Sequence, residues 1–160
     1  NVILKIGDKK LHVSKEFLGV HSPVCDTLFF GDQEGNGNEE VEITDVVYEE
    51  FLDLLRVLYM DNEITDSTVL NVIKLADQFQ IEHVLEMSKK HFIQSKGFDT
   101  MQKLIVADKY GIITLRDHCI DSFASIAELT DKLKVTPQFA SLSEETKLLV
   151  LNRMLKLKLQ

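Results

Sequence analysis

The chain has 160 residues, of which 44% are hydrophobic and 28% charged, and its formal net charge is −8 at neutral pH. This composition is typical of one globular domain, or of a domain with a short appendage, and it excludes a disordered chain. The negative charge argues against nucleic-acid binding, which needs clustered Lys and Arg, and the longest apolar runs of four or five residues are too short to span a membrane.

Alternating apolar and polar residues open the chain. The stretch NVILKIGDKKLHV predicts two β-strands joined by a turn at Gly7-Asp8. Ser14 then suits the N-cap of a short helix, and Ser22-Pro23 opens a second helix because proline is tolerated at a first helical position. This second helix is predicted to carry Val24, Leu28 and Phe29 on its apolar side.

The next segment is acidic. The stretch GDQEGNGN, residues 31–38, has the glycine content of a flexible loop, and EEVEI, residues 39–43, predicts a short third strand. From Glu16 to Asp53 the sequence holds eleven Asp and Glu residues and no Lys or Arg. Such a run is typical of a solvated face, and the alternative is an acidic docking surface that steers a basic partner.

A longer amphipathic helix is predicted from Tyr48 to Met60, with Asp45 as its cap. Helical spacing indicates which of its residues face the core. These residues are Phe51, Leu54, Leu55 and Leu58. The polar segment DNEITD that follows favours a turn or a short strand over another full helix.

Beyond Asp66 the sequence is helical and repeats itself. LADQFQIEHVLEMSKKHF, residues 75–92, aligns with VADKYGIITLRDHCIDSF, residues 106–123, at a period of 31 residues. The repeat predicts one helix–turn–helix unit that is used twice. Asp77 and Asp108 occupy equivalent positions, which favours caps or turn anchors over a catalytic carboxylate pair. Cys119 aligns with Ser88, so a small inward residue is expected there.

The tail of the chain predicts one further helix after a break at Thr136-Pro137. In SLSEETKLLVLNRMLKL, Ser141 and Glu144 have the spacing of a capping box. The apolar side of this helix is expected on Leu148, Leu149, Leu151 and Leu155.

No pattern predicts catalysis, a metal or a cofactor. His12, His21 and Cys25 come nearest to a metal cluster, but Pro23 interrupts the helical spacing and a fourth ligand is missing. Phosphate-binding glycine loops, serine-hydrolase motifs and zinc-protease motifs are absent from the sequence. We therefore expect a protein that is not an enzyme. With no secretory signal, Cys25 and Cys119 predict a reduced, intracellular protein of the cytoplasm or nucleus.

Three stretches resemble the BTB/POZ domain in their order and spacing: VILKIGDKKLHVSKEFLGVHSPVCDTLF, VEITDVVYEEFLDLLRVLYMDNEI and VLNVIKLADQFQIEHVLEMSKKHF. The resemblance implies an α+β fold, with a small three-stranded sheet and helical hairpins, over residues 1–95. KLIVADKYGIITLRDHCIDSF resembles the 3-box or BACK-like extension of BTB adaptors, which implies a helical extension over residues 96–160. The sequence most resembles nematode proteins that join a MATH domain to a BTB domain, although it contains no MATH domain.

The resemblance also implies a homodimer whose face is formed by the first strands and the helical hairpin. A two-turn helix is too short to be stable by itself, which gives a physical reason for apolar anchors that meet a second copy. A purely core role for Phe17 is the alternative. The residues predicted at this interface are Val13, Phe17, Leu18, Val20 and His21.

By the same resemblance, the protein is a non-catalytic adaptor that binds the N-terminal region of cullin-3 and brings an unknown substrate protein to a ubiquitin ligase. One departure counts against this function. Family members often place an apolar residue, any residue and Glu before the third strand, where this chain has Gln33-Glu34-Gly35, and Phe30-Gly31-Asp32 is a displaced imitation. The alternative is an oligomerisation module that does not bind cullin-3. The residues predicted to contact cullin-3 are Phe30, Asp32, Gln33, Glu34, Tyr59, Phe79 and His83.

Overall fold

The computed structural model describes residues 1–31, 40–59, 63–135 and 137–160. The chain forms two compact units, unit 1 (Asn1–Phe92) and unit 2 (Ile93–Gln160). Within the described ranges, none of the helices combines the length and hydropathy that a bilayer-spanning segment needs. The strands are β1 (Val2–Ile6), β2 (Lys9–Val13) and β3 (Glu40–Glu42), and the helices are α1 (Lys15–His21), α2 (Pro23–Phe30), α3 (Tyr48–Leu58), α4 (Val69–Gln78), α5 (Glu82–Gln94), α6 (Thr100–Lys109), α7 (Ile113–Ser122), α8 (Ile126–Val135) and α9 (Glu144–Lys158), with a 3-10 turn over Pro137–Ser141.

The sheet of unit 1 has the strand order β2-β1-β3. β1 and β2 pair antiparallel across a turn in which Gly7 takes a φ of +61°, a conformation that glycine adopts without steric cost. β3 lies parallel to β1, with Val41 opposite Leu4. The alternation in β1 buries Val2, Leu4 and Ile6, as the sequence predicts. β3 is shorter than the predicted 39–43 strand, and residue 39 lies outside the described residues.

The helical hairpin α1–α2 forms with the predicted caps. The Ser14 side chain accepts a hydrogen bond from the Phe17 amide, and the Ser22 side chain accepts one from the Cys25 amide. The predicted apolar side of α2 is only partly right, because Phe29 is buried as predicted but the helix also buries Cys25 and leaves Leu28 exposed. Ser22 and Pro23 fix where α2 begins, but they do not fix its rotation about its axis.

α3 buries the predicted residues Phe51, Leu54, Leu55 and Leu58. The predicted Asp45 cap is wrong. Asp45 takes a positive φ of 60°, and Val47 precedes the first helical residue without a side-chain cap bond. Residue 60, the predicted end of this helix, lies outside the described residues.

The predicted repeat is confirmed as two helix–turn–helix pairs, α4–α5 and α6–α7. The two turns have the same backbone. Gln80 and Gly111 are 31 positions apart, and both take positive φ values, 53° and 67°. The following amide closes each turn over 2.8 Å, from Ile81 to the Ala76 carbonyl and from Ile112 to the Ala107 carbonyl.

The last helix of unit 2 differs from its prediction in both its cap and its buried face. The cap is Ser143, whose side chain accepts from the Thr146 amide, rather than Ser141. α9 buries Thr146 and Val150, and it leaves Leu148, Leu151 and Leu155 exposed, so the predicted apolar face is wrong.

A carboxylate from α6 explains the rotation of α9. Asp108 accepts hydrogen bonds from the Ser143 amide over 2.7 Å and the Ser143 hydroxyl over 2.6 Å, and a further one from the Thr146 hydroxyl. These bonds turn the Thr146 side of α9 inward. Burial by itself would raise the pKa of the Asp108 carboxyl, but the hydrogen bonds from Ser143 and Thr146 outweigh it and lower the pKa.

Candidate interaction surface

The seven-residue helix α1 presents one strongly exposed apolar side chain. Val20 is 83% exposed in the single chain, whereas Leu18, two positions earlier, is only 1% exposed. Val13, also predicted at the dimer interface, is buried. Leu18 and Val13 therefore belong to the core of unit 1, and of the predicted interface residues only Phe17, Val20 and His21 reach the surface.

Four rings from three parts of unit 1 form one aromatic cluster: Phe17, His21, Tyr59 and His83. Phe17 stacks on Tyr59 with ring centroids 4.2 Å apart. The His21 ring lies 4.7 Å from the Phe17 ring and 5.0 Å from the His83 ring, centroid to centroid. The cluster joins two residues predicted for self-association to two residues predicted for cullin-3 binding. The two predicted surfaces are therefore continuous.

Ser22 brings the two sides of the cluster together. Its side chain is fully buried, and its hydroxyl donates to the Phe79 carbonyl over 2.5 Å while it accepts from the Cys25 amide over 3.0 Å. The corner between α1 and α2 is thereby fixed to the turn between α4 and α5. Because His21 precedes this corner and His83 follows this turn, the two imidazoles meet. The sequence indicates only the capping role of Ser22, since its second partner is 57 positions away.

The surroundings of His83 and Tyr59 in the cluster favour the neutral forms of these two side chains. Burial and, secondarily, the neighbouring His21 lower the pKa of His83 below its ordinary 6.5. Burial also raises the pKa of the Tyr59 phenol above its ordinary 10.0. Because the folded state holds His83 with a lowered pKa, its contribution reduces stability as the pH falls below 6.5.

The remaining residues predicted for cullin-3 contact lie in different environments. Phe30 is exposed at the end of α2. Phe79 is 4% exposed and packs edge-on against Phe51, with ring centroids 5.4 Å apart, so it belongs to the core rather than the surface. Asp32, Gln33 and Glu34 lie outside the described residues.

In the described part of unit 1, four exposed apolar residues were missed by the sequence prediction: Leu28, Val47, Leu70 and Met87. Leu28 on α2 and Val47 before α3 are both exposed. The sequence does contain a signal for the exposure of Leu28. Cys25 and Phe29 stand four positions apart and therefore form a second possible buried face of α2. The exposure of Val47 has no comparable signal in the sequence, since Val47 lies between the predicted cap Asp45 and the start of the predicted helix at Tyr48.

The described residues show no chemistry beyond contact surfaces. Among them, no group of three His, Cys, Asp or Glu side chains could hold a metal ion. Cys25 and Cys119 are free and buried, and burial raises the pKa of both thiols, which disfavours the reactive thiolate. In the described part of unit 1, the exposed apolar side chains and the aromatic cluster are features suited to a partner.

The small sheet and the helical hairpin define an α+β domain. The family model of the BTB/POZ domain matches residues 1–96. The chain therefore belongs to the BTB/POZ family, a family of protein-interaction modules. The α+β BTB fold and the helical segment after it agree with the prediction.

Several curated relatives come from Caenorhabditis elegans. "BTB and MATH domain-containing protein 38" is 32% identical over 98% of this chain and 41% of its own length. "BTB and MATH domain-containing protein 36" is 28% identical over 98% of this chain and 49% of its own length. The chain thus spans about half the length of these relatives or less. Among solved structures, the BTB domain of zebrafish PATZ1 matches at 20% identity with a TM-score of 0.49, over 59% of this chain and 75% of that one.

Proposed function

We propose that this chain is a homodimeric BTB module that acts as a substrate adaptor for a cullin-3 ubiquitin ligase. The observation that carries the self-association is Val20, an apolar side chain that is 83% exposed on a helix of only seven residues. Its burial against a second copy would contribute about 1.5 kcal/mol or more per subunit. Exposed Val20 and half-exposed Phe17 lie on one helix, so a two-fold axis beside α1 would pair the same residues from both copies.

The cullin-3 part of the proposal rests on the family and on the surface next to α1. Phe30, Tyr59 and His83 are exposed in unit 1, and the helices of unit 2 provide the segment that resembles a 3-box or BACK-like extension. The relatives named for both BTB and MATH domains fit an adaptor whose substrate-binding part lies elsewhere. We place the BTB domain at residues 1–95 and the extension at 96–160.

A second function is favoured by one sequence observation. The apolar-x-Glu pattern of cullin-binding members is missing at Gln33-Glu34-Gly35. Loss of an apolar anchor that fills a partner's pocket costs about 1–3 kcal/mol of affinity. The chain would then be an oligomerisation scaffold that dimerises without recruiting the ligase.

Light scattering of the purified chain, alone and with the cullin-3 N-terminal region, tests both functions. The adaptor predicts a dimer that gains one cullin-3 fragment per subunit. The scaffold predicts a dimer whose mass does not change when the fragment is added at tens of micromolar. A folded monomer in both samples would contradict the two functions together, because each requires self-association.

A further inference from the structure

Unit 2 contains a cleft of about 510 Å³ between the end of α5, the start of α6 and one side of α7. This volume lies within the range of sites that bind ligands or peptide side chains. Its apolar walls come from Ile93, Phe98 and Leu115, and its basic groups are Lys96, Lys103 and His118. Four Ser and Thr residues and Cys119 complete the lining.

The charge of this cleft differs from that of the rest of the chain. No Asp or Glu lines it. Unit 1 has eight Lys and Arg residues and eighteen Asp and Glu residues, which give a formal charge of −10. Unit 2 has ten Lys and Arg residues and eight Asp and Glu residues, which give a formal charge of +2. A cleft lined by two lysines and a histidine on the less acidic unit attracts negative charge.

One basic side chain of the cleft is held in place, and two basic side chains are free to meet a ligand. The Lys103 ammonium donates to the Ile93 carbonyl over 3.0 Å and to the Ser95 carbonyl over 2.6 Å. Lys96 and His118 are exposed, and within the described residues neither forms a hydrogen bond or an ion pair. Because the Lys103 ammonium is already fixed, little further ordering of this group is needed when an anionic group binds.

We propose that the unit 2 cleft binds an acidic linear segment of a partner protein, with an apolar side chain of that segment seated between Ile93, Phe98 and Leu115. A small free anion would satisfy the cations but would leave this apolar lining in water. A segment that combines Asp or Glu with an aromatic or aliphatic residue covers both parts of the cleft. This site goes beyond the proposed function, because none of the residues predicted for self-association or for cullin-3 contact lines it, and it does not require a dimer.

A displayed library of random peptides, panned against the full chain, tests the proposal. We expect enrichment of sequences in which Asp or Glu flanks an aromatic or aliphatic residue. In fluorescence anisotropy with an enriched, labelled peptide, Lys96→Glu should weaken binding about tenfold or more, since it reverses a charge at the ligand. Lys134→Glu makes the same change on an exposed residue of α8 outside the cleft, and it should change the affinity less than twofold.

A second pair of variants tests the apolar part of the cleft. Ile93→Ser should weaken peptide binding, whereas Ile113→Ser, an exposed isoleucine of the same unit outside the lining, should not. Enrichment of basic or purely apolar peptides would overturn the proposal, as would no enrichment at all. Equal loss with Lys96→Glu and Lys134→Glu, or displacement of the peptide by inorganic phosphate alone, would also overturn it. Val20→Asp should leave peptide binding unchanged, so this result separates the cleft from the dimer.

Discussion

The two helix pairs share one backbone turn but have different long-range partners. In the α4–α5 pair, the Phe79 carbonyl accepts from Ser22 and so fixes the turn to the α1–α2 corner. In the α6–α7 pair, Asp108 accepts from Ser143 and Thr146 and so fixes α9. Asp77, equivalent to Asp108, is exposed, and no hydrogen bond of its carboxylate is found among the described residues. The repeat therefore determines the backbone of the turn. Contacts between residues distant in sequence determine which other element each helix pair holds in place.

The largest expected effect separates the two equivalent aspartates. Asp108→Ala removes a charged acceptor and leaves the buried Thr146 hydroxyl with one fewer partner, so we expect a loss of about 3 kcal/mol in the free energy of unfolding. Asp77→Ala should change this free energy by less than about 0.5 kcal/mol, as is usual for exposed positions. Chemical denaturation of both variants measures the difference. Similar losses would mean that the two copies are equivalent after all.

The pH dependence gives an independent check on Asp108. Its folded-state pKa lies below the ordinary 3.8, so its contribution to stability is complete above about pH 3.8 and is lost as the pH falls through the folded-state value. Between neutral pH and acid, wild-type protein should therefore lose more stability than Asp108→Asn. Parallel curves for the two proteins would contradict the assigned hydrogen bonds.

The connection made by the first helix pair is tested by Ser22→Ala. The change leaves the Phe79 carbonyl and the Cys25 amide without their hydroxyl partner in a fully buried position, so we expect a loss of about 2 kcal/mol. Ser14→Ala is the matched control, since it removes the cap of α1 and an exposed hydrogen bond to Glu16, and it should cost about 1 kcal/mol. Thermal unfolding of both variants should rank them in this order, and a larger loss for Ser14→Ala would contradict the role of Ser22.

Opposite substitutions in the two turns should have opposite effects. Gln80→Gly relieves a left-handed residue that has a Cβ, and it should raise stability by about 0.5 kcal/mol. Gly111→Ala introduces that strain and should lower stability by about 1 kcal/mol, because an added Cβ meets no atom within 4 Å and gains no contact. Denaturation midpoints that shift in the same direction for both variants would disprove the equivalence of the turns.

The smallest expected effect concerns His83. Only the α4–α5 pair has a histidine at this position of the repeat, since the equivalent residue of the α6–α7 pair is Thr114. NMR titration should give His83 a pKa below 6.5, and His21→Ala should move it upward because the neighbouring ring charge is removed. A His83 pKa that does not respond to His21→Ala would contradict their contact.

Local signals explain which parts of the fold could be predicted. The Ser14 and Ser22 caps, the buried face of α3 and the repeat all depend on residues close in sequence, and all were predicted. The buried faces of α2 and α9 were not predicted correctly. Several apolar residues of each helix could face the core, and contacts with residues distant in sequence determine which of them do. For α9 the choice depends on Asp108, which lies 38 positions before Thr146.

The candidate interaction surface shows the same difference between features set by local sequence and features set by distant contacts. α1 and its aromatic residue Phe17 were predicted from local sequence, and Val20 was named with them. The burial of Leu18 and Phe79 depends on the assembled core, so the sequence could not remove them from the predicted surface. Contact between the self-association residues and the predicted cullin-3 residues also required the structure, because His21 and His83 lie 62 positions apart.

Sedimentation equilibrium at micromolar concentration tests the central claim, that α1 carries self-association. The wild-type chain should sediment as a dimer, and Val20→Asp should sediment as a folded monomer because a charge would be buried at the two-fold contact. Val135→Asp is the matched control, since Val135 is 76% exposed but lies on α8 in unit 2. It should remain dimeric. A monomeric wild type, or a Val20→Asp variant that stays fully dimeric, would contradict this account.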